Sequence, residues 1–569
     1  MLSFKTSILY ILGMTDITEK QIIRIEKELI EKVIVVSGLV FFMLLVVAQL
    51  AWPYDRDQGI ISVVADKILA GGVPYKDGWD VKGPLPYYIY AFVQWISDHQ
   101  DWGIRVFDFL ILSYGMASVW YISQKLTSKF LASVVSFILG AWYYSHPYLG
   151  GQPDAWIGVF MSIMIAMLFY DDRKFRNRVA IFSGVLLAFI FLTKPPYLIY
   201  SFLPFIYAVL NGRGKARKAT IFVVKAAITS ILLIAAALFW LWINDALQEF
   251  FEIVFVYTWE THRNYFDGIP GIYFYDLTLK YFVTKEVLIP FILSFMGFVY
   301  LWQTNRNKAK LILSWFVVSC VLIRIQGTYF HYQLFLILPV IAIFTANSFQ
   351  LINKSLGRAT LYWLCIISLF LAYHGRVKNY VVPSFMLYAG KISSVGYYSQ
   401  FQVITTARSN FYLMMAAEYL KKNNKKNRPI YILGFDPVLH YWSKTAPPTR
   451  LSFIMPFAKT EGKRFKEYSK ELVSDLNNNK PEYIIMFDND ITIVQPKTSR
   501  MYSYEIDGFR KLLDSNYYSE SFVNDMTFYK YHEDGVCYID FPRSSSNNPV
   551  LDYWNVNKFF SLIANKNQN

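Results

Sequence analysis

The sequence predicts a polytopic α-helical membrane protein that ends in a soluble α/β domain. Three observations predict it. The first is composition: of 569 residues, 54% are hydrophobic, 18% aromatic and 17% charged, where a soluble chain carries about 25% charge. The second is a series of apolar runs approaching the roughly 20 residues that a helix needs to cross the hydrocarbon core. The third is that the loops between those runs fall into a basic set and a nearly uncharged set.

Val33–Trp52 is the first apolar run. The others are Ile104–Tyr121, Phe130–Ser145, Ala155–Tyr170, Val179–Thr193, Pro196–Leu210, Ala219–Ile243, Val287–Trp302, Leu311–Ile323, Tyr332–Ser348 and Leu361–Tyr373, giving about eleven spans. A polar, mixed-charge stretch, Asp16–Lys32, precedes the first run, and no small-residue cleavage site follows it. A retained anchor is expected, not a removed signal.

One set of loops holds Lys125 and Lys129; Arg173, Lys174, Arg176 and Arg178; Arg213, Lys215, Arg217 and Lys218; Arg306, Lys308 and Lys310; Lys354 and Arg358. The alternate set (146–154, Lys194-Pro195, 326–330) has almost no positive charge. The asymmetry predicts a cytoplasmic N-terminus. The loops 53–103 and 244–286, and everything after about residue 375, then face outward. An inner (cytoplasmic) membrane location follows, with the C-terminal domain periplasmic or extracellular. The net charge of +15 is accounted for by these inner loops, so membrane lipids are the expected partner and nucleic acid is not. The three cysteines, Cys320, Cys365 and Cys537, suggest no disulfide framework.

The chain therefore divides into an N-terminal segment 1–32, a transmembrane domain 33–375 and an outward soluble domain 376–569. In the last, Asn410–Lys421 and Lys466–Leu476 read as amphipathic helices, Pro429–Leu433 and Glu482–Phe487 as short buried strands, and Met526–Tyr531 with Val536–Phe541 as a hairpin around Asp534-Gly535.

The first outward loop concentrates the chemistry. Gln58–Leu69 has helical spacing, with Ile61, Val64, Ala65 and Ile68 on one face, and Pro84–Ile96 reads as a helix with proline in its first turn. Asp55 and Asp57 stand at the mouth of the first span. Asp80 and Lys82 lie on the hinge between the two helices. A carboxylate fixed beside a hydroxyl suits a general base, and a fixed cation suits a phosphate. The same residues also suit a helix cap and a surface ion pair.

The order D-x-D-Q-G, A-x-x-I-L-A-G-G-x-P-Y-x-D-x-W-D-x-K-G-P-L-x-Y-Y after a first span resembles the GT-C glycosyltransferases, above all bacterial members related to protein O-mannosyltransferases and lipid A aminoarabinose transferases. The resemblance implies a GT-C-like fold and inverting transfer of a hexose or pentose from a polyprenyl-phosphate donor to a glycan, lipid or protein acceptor. It makes Asp57 the match of the aspartate in the family's Asp-Glu pair. Gln58 stands where that pair has glutamate, so Asp55 is the second catalytic candidate. Asp80 and Lys82 resemble the acidic–lysine pair that would meet the lipid phosphate.

Further outward helix ends supply Asp154 in Gly151–Trp156, Lys194 at a proline hinge, and Arg324, Gln326 and His331 before the tenth span. All five are candidate substrate-binding residues. A divalent cation, magnesium or manganese, would sit between Asp55 and Asp57 if one is used. The loop 244–286, with Glu260, His262, Arg263 and Asp267, suits either a cover over the donor or an interfacial aromatic belt. No zinc spacing, phosphate-binding P-loop, nucleophile elbow or kinase signature is present. The competing function is a transporter or lipid flippase of envelope biogenesis, which would need charged or broken helices near the midplane and repeat symmetry. A non-catalytic scaffold is the third reading.

Overall fold

In the computed structural model, the described residues are 19–145, 150–172, 174–262, 287–326, 331–401, 410–424, 427–458, 462–490 and 497–532. The helices are α1 (Glu19–Gln49), α2 (Arg56–Leu69), α3 (Leu85–Ser97), α4 (Trp102–Leu126), α5 (Lys129–Tyr143), α6 (Pro153–Asp171), α7 (Asn177–Thr193), α8 (Phe202–Asn211, entered through a 3-10 turn Pro195–Ser201), α9 (Ala216–Ile243), α10 (Leu288–Thr304), α11 (Arg306–Gln326), α12 (Leu338–Ser355) and α13 (Arg358–Arg376). Each of the eleven apolar runs coincides with helix.

Among the described residues, six helices are long and apolar enough to cross a membrane, and three shorter apolar ones accompany them. The chain is a multi-pass membrane protein. α9 shows the logic: it exposes Ile228, Ile231, Leu232 and Phe239, a surface that only lipid accommodates at low cost. α12 is its opposite, with nearly every side chain from Leu338 to Phe349 buried in the bundle. The last long helix passes through a π turn, Val377–Val381, and on to Tyr388. It therefore outruns the boundary expected at residue 375. Pro383 lies inside this continuous helix, which therefore lacks one backbone hydrogen bond there, and the π turn directly precedes it.

The C-terminal domain carries a four-stranded sheet in the order β1-β2-β4-β3, built from β1 (Ile430–Leu433), β2 (Tyr483–Phe487), β3 (Tyr517–Val523) and β4 (Met526–Tyr531). β1 and β2 are parallel, pairing Ile430 with Tyr483. The crossover between them includes a helix, Lys463–Asn479, that buries Phe465, Tyr468, Leu472 and Leu476, the spacing of a single apolar stripe. Both amphipathic helices and both buried strands lie where the sequence puts them. The final hairpin does not. Met526–Tyr531 pairs with the preceding strand β3 and, on its other edge, with β2, so no edge remains for Val536–Phe541. That segment lies outside the described residues.

Two short helices cover the membrane domain between α1 and α4. α2 packs on α3 and, on another side, on the helix Val438–Ser443 of the C-terminal domain. The starts of α2 and α6 and the ends of α7 and α11 consequently meet at the end of the bundle that the C-terminal domain caps.

Candidate active site

Asp55 occupies the N-cap position of α2, in extended backbone, and Asp57 lies in the first turn. The free N–H groups of that turn favour negative charge. The Asp55 N–H donates to Gln58 Oε1 at 3.0 Å. Desolvation, aided by the charges of Asp57 and Asp436 and opposed by Arg56, pushes the Asp55 carboxyl up to about 6.

The turn between α2 and α3 brings the second group. Lys82 Nζ lies 3.3 Å from Asp80 Oδ2, and only 12% of the lysine and 1% of the aspartate side chain is exposed. The pair is interior, not a surface ion pair. Burial alone would lower the Lys82 pKa, but Asp80, Asp57 and Asp154 outweigh it and raise it. Three carboxylates from three segments thus act on one ammonium. Gly83 makes this possible. Its N–H donates to the Thr193 carbonyl at 3.0 Å, and a Cβ there would stand 2.2 Å from the Leu192 oxygen. Only glycine lets the turn lie against the end of α7, beside Lys194.

Lys194 Nζ contacts Asp154 Oδ1 at 2.8 Å and Gln326 Oε1 at 2.9 Å. Tyr197 donates its hydroxyl to the same Asp154 oxygen at 2.8 Å, and Gln333 Nε2 donates to Gln326 Oε1 at 2.6 Å. Asp154 sits in the first turn of α6, but Gln152 holds the cap position. Its carboxylate therefore serves Lys194, not the helix end. Lys194 likewise points into protein and does not snorkel to the interface. The Tyr332 hydroxyl lies within electrostatic reach of Asp55, Arg56, Asp57 and Asp154, which joins the two halves.

Beneath this cluster lies a fully buried polar knot. Arg105 donates to Pro53 O at 2.6 Å, Gln58 Oε1 at 3.0 Å and Gly150 O at 3.2 Å. Gln58 Nε2 also donates to Gly150 O. Tyr90 donates to Gly151 O at 2.8 Å. The knot fixes the approach to α2, which carries Asp55 and Asp57, against the approach to α6, which carries Asp154. Because Gln58 is an amide, it donates and accepts at once; a carboxylate would lose the donor.

Asp55, Asp57, Asp80, Lys82, Asp154, Lys194 and Gln326 are therefore brought into one neighbourhood. Arg324 is not. It is exposed near the end of α11, and two residues of helix turn it about 200° away from Gln326. The side chain of His331 and residues 263–286 lie outside the described residues, along with Arg263 and Asp267. Sequence reasoning missed Tyr197, Tyr332, Gln333 and Arg105. Of these, Arg105 carried a signal: a cation in the first turn of an apolar span.

The fold has solved counterparts. ArnT from Cupriavidus metallidurans bound to undecaprenyl phosphate matches at TM-score 0.56 and 14% identity, over 87% of this chain and 97% of that one. The chain has the GT-C fold. The apo state of the same ArnT gives TM-score 0.55 at 13% identity, over the same shares of the two chains. The Archaeoglobus fulgidus oligosaccharyltransferase, in complex with Zn and sulfate, gives 0.50 at 11% identity, over 87% of this chain and 73% of that chain. In sequence, residues 81–240 match the family model of dolichyl-phosphate-mannose-protein mannosyltransferases. No curated protein matches. Within the GT-C fold, the matched stretch begins one residue after Asp80 and takes in Lys82, Asp154 and Lys194.

Proposed function

We propose that this chain is a membrane glycosyltransferase. It moves a hexose or pentose from a polyprenyl-phosphate donor to an acceptor hydroxyl on a glycolipid, polysaccharide or protein, at the outer face of the cytoplasmic membrane. The observation that carries the reading is the convergence of Asp57, Asp80, Lys82, Asp154 and Lys194 at one end of a GT-C bundle.

In this reading, Asp57, with Asp55, accepts the proton of the acceptor hydroxyl. The oxygen attacks the anomeric carbon from the face opposite the phosphate. The carbon–oxygen bond to phosphate breaks, its electron pair leaves with the phosphate, and the anomeric centre inverts. Lys82 and Lys194 meet the charge that develops on the departing phosphate; because they are already placed, no protonation of the leaving group is needed. Asp80, Asp154 and Gln326 hold the two ammonium groups in position. If a divalent cation takes part, Asp55 and Asp57 are the carboxylates that would hold it; among the described residues no group of three or more His, Cys, Asp or Glu side chains is placed to hold a metal ion, so two carboxylates are the whole donor set. Such an ion would supply Lewis acidity toward the phosphate. A transporter would instead place its ionisable groups near mid-bundle, at broken helices.

The test uses purified protein in lipid nanodiscs, undecaprenyl-phosphate-linked mannose, glucose and arabinose as donors, and membranes of the producing cell as acceptor. Release of undecaprenyl phosphate by wild type, with Asp57→Asn and Asp55→Asn strongly impaired, is expected. Full transfer by both variants would sink the assignment.

A further inference from the structure

One residue of the C-terminal domain grips both ends of the turn that leads to Lys82. The Arg450 guanidinium donates to the Tyr75 carbonyl at 3.0 Å, and the Arg450 carbonyl accepts from the Trp79 N–H at 3.1 Å. Asp80 follows directly. Three further bonds fix the direction of the guanidinium. Two go to Glu471 of the helix Lys463–Asn479, at 2.6 and 3.0 Å, and one goes to Glu249 of the short helix Leu247–Phe251, at 2.6 Å. Only 15% of the Arg450 side chain is exposed. A planar fork can serve these acceptors together; a lysine ammonium has no such fixed geometry.

Tyr75 needs that grip. Its φ is +72°, in the left-handed region, where a side chain is disfavoured and the conformation persists only if its surroundings impose it. Here they do. The Tyr75 N–H donates to Gly78 O at 2.7 Å. Its ring is fully buried, edge-on to Tyr87 and Phe250, and Arg450 holds its carbonyl. So placed, Tyr75 donates its hydroxyl to the Lys82 carbonyl at 2.8 Å. The Lys82 N–H donates to the Tyr87 hydroxyl at 3.1 Å, which closes the turn. Direct contacts thus run from Arg450 through Tyr75 to the Lys82 backbone. We infer that Arg450 is a positioning residue for the donor-phosphate site: it holds the Tyr75–Trp79 turn against the C-terminal domain and so fixes where Lys82 stands. The inference rests on the transferase reading, in which Lys82 meets the departing phosphate, and it makes the C-terminal domain part of that site. Arg450 itself does not meet the phosphate, because its guanidinium is taken up by Glu249, Glu471 and the Tyr75 carbonyl.

The test uses full-length Arg450→Gln and Tyr75→Phe in nanodiscs, each in the wild-type and the Lys82→Gln background. Undecaprenyl phosphate affinity, binding capacity and melting temperature are measured for each. In the wild-type background, Arg450→Gln is expected to weaken affinity by about ten-fold and Tyr75→Phe by about three-fold, with binding capacity retained. In the Lys82→Gln background Lys194 still serves the phosphate. There both substitutions should change affinity by less than about two-fold, because each acts only through Lys82. A merely structural role would lower melting temperature and capacity at unchanged affinity, or weaken binding equally in both backgrounds. Either outcome, or wild-type affinity in both variants, overturns the inference. If Arg450→Gln fails to fold, Tyr75→Phe decides. Wild type that binds no undecaprenyl phosphate, or binds it equally well with Lys82→Gln, sinks the reading of the donor site and this inference together. Binding that depends on Lys82 but not on Arg450 or Tyr75 sinks this inference alone.

Discussion

Lys194 donates to Asp154 at 2.8 Å, with 25% of the lysine and 3% of the aspartate side chain exposed. The pair joins the start of α6 to the end of α7, and the same aspartate charge also acts on Lys82. Asp154 therefore competes with a phosphate for both cations. Asp154→Asn keeps an acceptor oxygen for Lys194 and Tyr197 but removes the charge. It is expected to tighten undecaprenyl phosphate binding by about three- to ten-fold, or about 0.7 to 1.4 kcal/mol. Titration in nanodiscs checks it; an unchanged affinity would show that Asp154 does not face the phosphate.

Asp55 gives a pH prediction. Its carboxyl titrates near 6, chiefly because of desolvation. Below that pH it is protonated and accepts no proton; above it, it is a carboxylate. The transfer rate should fall as pH drops through about 6, not through the usual aspartate range near 4, and Asp55→Asn should abolish that limb. The sign for stability is opposite to that of a salt-bridged aspartate. The folded pKa lies above the unfolded one, so the group costs nothing below about 4, where both states are protonated; its opposition to folding builds as pH rises from the unfolded value toward the folded one and is complete above about 6. Asp55→Asn should thus raise the melting temperature at pH 7.5 while it lowers activity.

Gln58 and Arg105 give a stability prediction. Gln58→Glu restores the acidic type of the related Asp-Glu pair and creates a buried ion pair with Arg105. It also turns an acceptor toward Gly150 O, which now receives the Gln58 amide N–H. A buried acceptor without a donor costs about 1–3 kcal/mol. Thermal unfolding should show Gln58→Glu less stable than wild type at neutral pH, with recovery in acid as the new carboxyl protonates and regains a donor. A gain in stability at neutral pH would contradict the knot as drawn.

Gly83→Ala addresses the approach of the two lysines. A Cβ there would collide with the Leu192 carbonyl, 2.2 Å away, so the Asp80–Lys82 turn must withdraw from Lys194. Circular dichroism should report an unchanged helix content, while undecaprenyl phosphate affinity falls by about ten-fold or more. Wild-type affinity would show that the close approach is not needed.

Much of this arrangement was legible in the sequence, for reasons that are local. Apolar runs mark helices wherever lipid or a bundle interior covers them, so Val33–Trp52 and Leu361–Tyr373 are visible without any partner. Pro84 and Pro86 announce the start of α3, and the buried strands of the C-terminal domain stand out between amphipathic helices. What stayed hidden depends on contacts across sequence. Lys194 and Asp154 are 40 residues apart, and nothing in either segment says that one reaches the other. Arg324 and Gln326 look equivalent on paper, but helical rotation separates them. The final hairpin was misread because Met526–Tyr531 and Val536–Phe541 flank a stronger turn signal, Asp534-Gly535, than the Asn524-Asp525 turn that the chain uses. The role of Arg450 could not be read at all, since its partner Tyr75 is 375 residues away.

The central claim is that Lys82 and Lys194 serve one phosphate. A double-mutant cycle with Lys82→Gln and Lys194→Gln, read as undecaprenyl phosphate affinity in nanodiscs, tests it most directly. Two cations on one ligand should couple, and the double variant should differ from the sum of the singles by about 1 kcal/mol or more. Additivity within about 0.5 kcal/mol would mean that the two lysines act on separate ligands, and the site as described would be wrong.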